Sequence, residues 1–209
     1  MPHTLPVIPH VRLRTVEDIP EIRALMRRVY PPPHGPEAIW GEVNLRLHLE
    51  RFPEGQMVVE ANGGLIGTST TLLVTLETAL APHTWLDITG KGSLSTHNPD
   101  GDVLYGVNIA VDPAWQNRGI GRLMYEARIA LARRLGCRAF VAGARIPGYH
   151  RVADQYTPEA YIQAVKEGKL YDPTLSKQLS VGFQIQEALP DYAPDHETHD
   201  HAVLILMEL

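Results

Sequence analysis

A single cysteine stands among the 209 residues, so no disulfide within the chain can brace the fold. Cys137 opens a stretch that reads as a buried strand, and no neighbouring base marks it as a nucleophile, so it is assigned to the core. Long apolar runs are also missing, which excludes a membrane-spanning helix. The first ten residues, MPHTLPVIPH, have neither the basic start nor the apolar centre of a signal peptide. These absences predict a soluble, cytoplasmic protein. Basic runs are absent too: 19 Lys and Arg face 24 Asp and Glu for a net charge of -5, which argues against nucleic acid as the main partner. What is present is enough apolar material, 44% of residues, to fill the core of one domain spanning 1–209.

Two glycine-rich phosphate motifs are missing as well. The chain has no Gly-Lys-Ser/Thr tripeptide of a nucleotide triphosphate loop. Three residues beyond Gly121 stands Met124, where a dinucleotide fingerprint needs its third glycine. What does occur, from Val103 to Arg145, reads as strand, turn, helix and strand. Residues 103–111 are apolar enough to be buried on both faces, and Asp112-Pro113 stops them. Then come Gln116, Asn117, Arg118, Gly119, Ile120, Gly121 and Arg122, and a helical stripe through Ile120, Leu123, Met124, Ala127, Leu131 and Leu135. Arg133 and Arg134 suit its C-terminal dipole, and Gly136 closes it. Glycines that keep no side chain over the main chain, at a helix start whose amides lack intrahelical partners and between two arginines, predict an anion site, in particular for a pyrophosphate.

Along the chain, alternation predicts a strand at 11–16, and Thr15 or Glu17-Asp18 can cap a helix through Ile22, Leu25, Met26 and Val29. Pro36 and Glu37 are expected to open a second helix containing Ile39, Trp40, Val43 and Leu47 and ending near Phe52-Pro53. Strands at 56–60 and 65–73 flank the Asn62-Gly63-Gly64 turn signal. The polar connection 78–102 is too long to be passive and reads as a flap or an ordered insertion. A second insertion covers 144–170, with a helix opened by Thr157-Pro158-Glu159 and ended by Gly168. Another helix runs from Asp172-Pro173 to Val181. Strands at 184–188 and 202–207 close the chain.

The Gln-x-x-Gly-x-Gly turn after Ile109-Ala110-Val111-Asp112-Pro113 resembles the acyl-coenzyme A signature of the GCN5-related N-acetyltransferase (GNAT) superfamily. The segments 85–89, 96–99, 104–106, 145–150 and 171–173 extend the resemblance over nearly the whole chain, to a subgroup whose GNAT domains sometimes occur fused to a carbon-nitrogen (nitrilase-like) hydrolase. The resemblance implies an α/β (α+β) fold: a mixed, mostly antiparallel sheet of six to seven strands, splayed in the middle and flanked by helices. It also implies an acetyl-CoA-dependent N-acetyltransferase acting on a primary amine of a small molecule in a ternary complex, with no metal required. Coenzyme A would be held by Ile109, Ala110 and Val111 and by residues 116 to 122, and the loop with Tyr30, His34 and Trp40 would be a wall of the acceptor site.

The transfer sets its own demands. An amine of lysine-like pKa is neutral in about one molecule in a few thousand at pH 7, a handicap of about 4.6 kcal/mol unless the site removes the proton. The thioester oxygen needs a preorganised amide donor, and the departing thiolate needs an acid. Many superfamily members carry a tyrosine acid at the position occupied here by Gln178, and often an acidic residue at the position of Asn108. Gln178 cannot be an acid, and Asn108 can orient water but cannot be a base. The replacements expected are Tyr149, His150 and Tyr171, with Tyr105 and His97 behind them. The run Asp195-His196-Glu197-Thr198-His199-Asp200-His201 has the ligand types for zinc or nickel but reads as a solvated connection. A CoA-binding or sensing module without turnover, or an interaction partner of a nitrilase-like hydrolase, is the alternative. The acceptor, the acyl length and the oligomeric state, a homodimer included, stay open at this level.

Overall fold

The computed structural model describes residues 8–35 and 38–209. Among the described residues seven strands form one sheet in the order β1-β2-β3-β4-β5-β7-β6. They are β1 (His10–Leu13), β2 (Gln56–Ala61), β3 (Gly64–Val74), β4 (Val103–Val111), β5 (Ala139–Arg145), β6 (Gln184–Leu189) and β7 (Ala202–Glu208). Only β4 and β5 run parallel; all other neighbours are antiparallel. The helices are α1 (Ile19–Val29), α2 (Glu42–Arg51), the short α3 (Leu76–Leu80) and α4 (Trp85–Ile88), α5 (Ile120–Arg134), α6 (Pro158–Lys166) and α7 (Leu175–Val181). A parallel pair needs a crossover, which α5 supplies between β4 and β5. No helix among the described residues is long and apolar enough to cross a membrane.

The middle of the sheet is where the ladder fails. β4 and β5 pair only from Val103↔Ala139 to Gly106↔Ala142, although β4 continues to Val111 and β5 to Arg145. On its other side β4 skips Val107: Thr71 faces Gly106 and Thr70 faces Asn108, a bulge that bends the strand at the point of divergence. Apart from that bulge each strand stays paired on its outer side, β4 with β3 and β5 with β7, so the sheet parts without losing its other ladders.

Several expected boundaries are corrected. The first strand ends at Leu13 and not at residue 16, because Arg14 turns inward to donate to Thr68 Oγ1 (2.8 Å) and Ser69 O (3.1 Å), and Asp18 Oδ2 accepts from the Thr15 amide (2.7 Å) to start a turn. The second helix begins at Glu42: Gly41 is extended (φ -67, ψ 152), and Trp40 is packed into the core ahead of the helix. The proposed openers Pro36 and Glu37 lie outside the described residues. On α5 the buried face is Ile120, Met124, Tyr125, Arg128, Leu131 and Ala132. Leu135 lies past the helix and is half-exposed. The face is broad because α5 covers both halves of the parted sheet. Ile120 and Met124 meet Val59 and Ile66, while Tyr125 and Leu131 belong with Leu104, Phe140 and Phe183. The connection 78–102 is the ordered alternative: Ala79, Ile88 and Leu94 are buried in a cluster with Leu72, Val103 and Tyr105.

Asp172 ties the second insertion together. Its Oδ2 accepts from the Gly148 amide and the Tyr161 hydroxyl (2.9 Å each), and its Oδ1 from the amides of Thr174 and Leu175 (2.8 Å each). It is fully buried, so removing it strands four donors. Asp172→Ala is expected to lower unfolding free energy by about 3 kcal/mol in urea titrations; a loss below about 1 kcal/mol would contradict this role.

Candidate functional site

The turn after β4 is built by two short-range bonds and one long-range ion pair. Asp112 Oδ1 accepts from the Ala114 amide (2.9 Å) and its Oδ2 pairs with Arg28 Nε (2.7 Å), while Gln116 Nε2 donates to Val111 O (3.2 Å). Asn117 (φ 59) and Gly119 (φ 83) turn the chain left-handed into α5. The first helical bond is from the Leu123 amide to Gly119 O (3.0 Å), so the amides of Ile120, Gly121 and Arg122 have no acceptor within the helix. A Cβ built on Gly119 or Gly121 would meet nothing within 4 Å, so the space over this amide row is open. Arg118 lies over the Trp115 ring at 5.4 Å, and Arg122 Nε pairs with exposed Glu126 (2.9 Å). Lys177 of α7 donates to Asn117 Oδ1 (3.1 Å), adding a third cation beside the turn.

A cleft of about 1020 Å³ begins at this turn. Ile109 and Val111 of β4, the cap residue Gly119, Gly121 and Arg122 of α5, and Lys177, Gln178 and Val181 of α7 border it, so it lies along the parting of the sheet. Ala110 is buried and takes no part in the wall. A second cleft of about 390 Å³ is bordered by Trp40, Trp85, Val107, Asn108 and Tyr192. The two clefts share Tyr30, Pro33, His34, Arg145 and His196, so they meet at one mouth.

The charges at the mouth are largely compensated. Arg145 Nε meets Asp195 Oδ2 (2.5 Å) and its Nη2 meets Glu197 Oε2 (2.9 Å). Burial raises the Asp195 carboxyl, but the Arg145 hydrogen bond and charge outweigh that and hold it below its ordinary value. Asn108 Nδ2 reaches the Tyr30 hydroxyl at 3.4 Å. Deeper in the first cleft, Gln178 Nε2 donates to the Tyr125 hydroxyl (2.9 Å), and the buried Arg128 guanidinium sits 5.3 Å from the centre of the Tyr125 ring. Burial pushes the Tyr125 phenol up and the Arg128 guanidinium down.

The residues expected from sequence divide into two groups. Residues 109, 111, 116, 117, 119, 120, 121 and 122 border the large cleft, Asn108 borders the small one, and Tyr30 and His34 border both. Tyr149, His150 and Tyr171 border neither. Tyr149 is buried with its hydroxyl on Tyr156 O (3.1 Å), His150 is exposed with Nδ1 on Pro147 O (2.7 Å), and Tyr171 is 66% exposed. His97 accepts from the Leu73 amide (3.1 Å) and stacks on Phe52, and Tyr105 is fully buried. Sequence reasoning missed Tyr125. The signal for it was a second helical stripe, Gly121, Tyr125, Arg128 and Ala132, beside the apolar one. Arg145 was quoted only within a motif, and Tyr192 left no local signal.

Comparison with known proteins agrees with this geometry. A profile of the acetyltransferase (GNAT) family matches residues 19–153. A probable hydrolase of Bacillus subtilis (strain 168), YhcX, is 40% identical over 185 residues, which is 88% of this chain and 35% of that protein, so the chain spans about a third of it. An uncharacterised N-acetyltransferase of the same organism, YkwB, is 33% identical over 195 residues, 93% of this chain and 86% of that protein. Among solved structures, the GNAT-like decarboxylase GphF in complex with isobutyryl-CoA superposes with a TM-score of 0.80 at 24% identity, over 95% of this chain and 98% of that one, and shares the fold.

Trp40, a wall of the small cleft, is held edge-on by His48 at 4.5 Å, and His48 Nε2 donates to Gly92 O (2.8 Å). Burial lowers the His48 pKa to about 4. Between about 6.5 and 4 the unfolded chain therefore binds a proton that the folded one does not, and stability falls as pH drops through that window, by up to about 3 kcal/mol. Urea unfolding at pH 7.5 and 4.5 should show His48→Gln losing about 2 kcal/mol less than wild type between the two pH values; equal losses would contradict the assignment.

Proposed function

We propose, on the premise that the chain belongs to the acetyltransferase (GNAT) family, that it acts as one domain moving an acetyl group from acetyl-CoA to a primary amine of a small molecule, directly, in a ternary complex. The observation that carries this reading is the open amide row at 119–122, facing a cleft that meets a second cleft at Tyr30 and Arg145. The diphosphate takes those amides with Arg118, Arg122 and Lys177 near it. The pantetheine arm follows Ile109 and Val111 along the parted strands, where strand amides left without a β5 partner supply the donor for the thioester oxygen. The amine enters beside Trp40, Trp85 and Tyr192.

Two proton roles that Gln178 and Asn108 cannot fill pass to hydroxyls from elsewhere in the fold. Tyr125 accepts from Gln178, which leaves its own O–H to donate into the cleft, and its raised pKa keeps it protonated at neutral pH. It serves as the acid for the departing thiolate. On the amine side, Tyr192 and Tyr105 stand oxygen to oxygen at 3.0 Å, and Tyr105 reaches His83 Nε2 at 2.8 Å. His83 Nδ1 donates to Ala81 O (2.7 Å), which fixes Nε2 as the acceptor and orients the hydroxyls outward. One proton taken by Tyr192 from the ammonium releases one to His83 near the surface. The reading of a CoA-binding module without turnover rests on Asn108 and Gln178 alone. An association with a hydrolase is supported by the name of YhcX, a probable hydrolase, and by its greater length; that this hydrolase would be nitrilase-like rests on the sequence resemblance alone.

Incubation with acetyl-CoA and a panel of polyamines, amino acids and aminoglycosides should release free thiol and yield an acetylated product by single-turnover mass spectrometry. Tight coenzyme A binding with no acetylated amine would overturn the transferase reading in favour of the inert one. With the responding amine, Tyr125→Phe should lower kcat by about 10²-fold or more and leave the KM for acetyl-CoA within about threefold; an unchanged kcat would remove Tyr125 from the acid role.

A further inference from the structure

The mouth shared by the two clefts holds a group that the acyl transfer does not use. His34, in the connection after α1, has Nδ1 at 3.0 Å from Pro31 O. A carbonyl only accepts, so Nδ1 carries the hydrogen and Nε2 presents a lone pair. That Nε2 is buried and has no hydrogen-bond partner. Around it stand the His196 ring, nearly perpendicular with centroids 4.6 Å apart, and Glu197 Oε2 at 3.9 Å. One ligand atom each from His34, Asp195 and His196 lies within 4.8 Å of the others.

The geometry points to a divalent transition-metal site formed by His34 Nε2, His196 and Asp195, with Glu197 as the adjacent fourth donor. Two imidazoles and a carboxylate suit zinc, cobalt or nickel better than magnesium or calcium. The outer contacts of such a site are already in place. Pro31 O orients His34, while Arg145 and the Glu197 amide orient Asp195 by one lone pair on each oxygen, leaving a second on each free to bind. The charge balance permits a dication: Asp195 and Glu197 contribute two negative charges against one positive charge from Arg145, and the imidazoles bind as neutral groups. The ligands come from two chain segments, 31–35 and 194–197, which the ion would join across the mouth. The histidines that crowd the same sequence run do not take part: His199 and His201 lie edge-on to Tyr149 at 5.4 and 6.2 Å.

The test uses an untagged chain of residues 1–209 dialysed against chelator, without coenzyme A, so its outcome is independent of the acyltransfer reading. Zinc calorimetry should give one ion per chain, and cobalt(II) should develop the visible absorption of a low-coordinate nitrogen and oxygen site. His34→Ala and His196→Ala should each weaken zinc binding by about tenfold or more, while His199→Asn, which suits the left-handed backbone there (φ 49), leaves it within twofold. If His34→Ala does not fold, His34→Phe keeps the edge contacts to Tyr30 and His196 and carries the same expectation. No uptake of zinc or cobalt, or uptake unchanged in the His34 variants, would overturn the site. Uptake lost only in His199→Asn would do so as well, by moving the ion to the local run.

Discussion

The proposed transfer depends on two parallel strands that pair for four residues and then separate. Beyond Gly106 and Ala142 the pairing of β4 and β5 stops, and the resulting opening borders the large cleft at Ile109 and Val111. The bulge at Val107 turns β4 away, while β3 and β7 stay paired with the outer edges of the two strands on either side of it. α5 spans the gap from below with a face wide enough to touch both halves. Its N-terminus therefore arrives at the far end of the opening, beyond Val111, where residues whose amides lack helical partners border the large cleft.

The same geometry explains how chemistry can survive at a site whose usual positions carry amides. An opening in a sheet is reached from many elements: α5 supplies Tyr125, α7 supplies Gln178, the loop before β7 supplies Tyr192, and the connection after α1 supplies Tyr30 and His34. A proton donor therefore need not sit on one particular helix to reach one point in the cleft. Gln178 illustrates this, since its amide donates to the phenol of a neighbouring helix and holds it in place. Tyr105 and Tyr192, both buried with raised pKa values, stay neutral and can pass a proton without holding a charge.

How much of this was legible in the sequence follows from how local each feature is. The segment from Val103 to Arg145 is set by neighbours in the chain: an apolar run, a proline stop, two glycines, a helical stripe and a closing glycine. Its strands and helix fall within two residues of expectation. The second helix was started too early because Trp40 continues the apolar spacing while the extended Gly41 breaks the helix before Glu42. Tyr149, His150 and Tyr171 were grouped with the cleft because they follow β5 in sequence. The bonds of Asp172 instead fold that insertion so that Pro147, Arg151, Pro173 and Thr174 border the cleft while those three side chains do not. Likewise, the run 195–201 looked like one cluster, but His34, 161 residues before Asp195 in the numbering, is the histidine that faces it. Features that arise from long-range packing leave no periodicity to read.

The central claim is that the amides of Ile120, Gly121 and Arg122 receive the diphosphate of coenzyme A. Nitrogen-15 amide spectra recorded during a coenzyme A titration test it directly. The account predicts that these three resonances, with those of Asn117 and Gly119, shift first and furthest and that the shifts saturate at one ligand per chain. Binding that leaves them in place, or perturbs only the small cleft around Trp40 and Trp85, would contradict it.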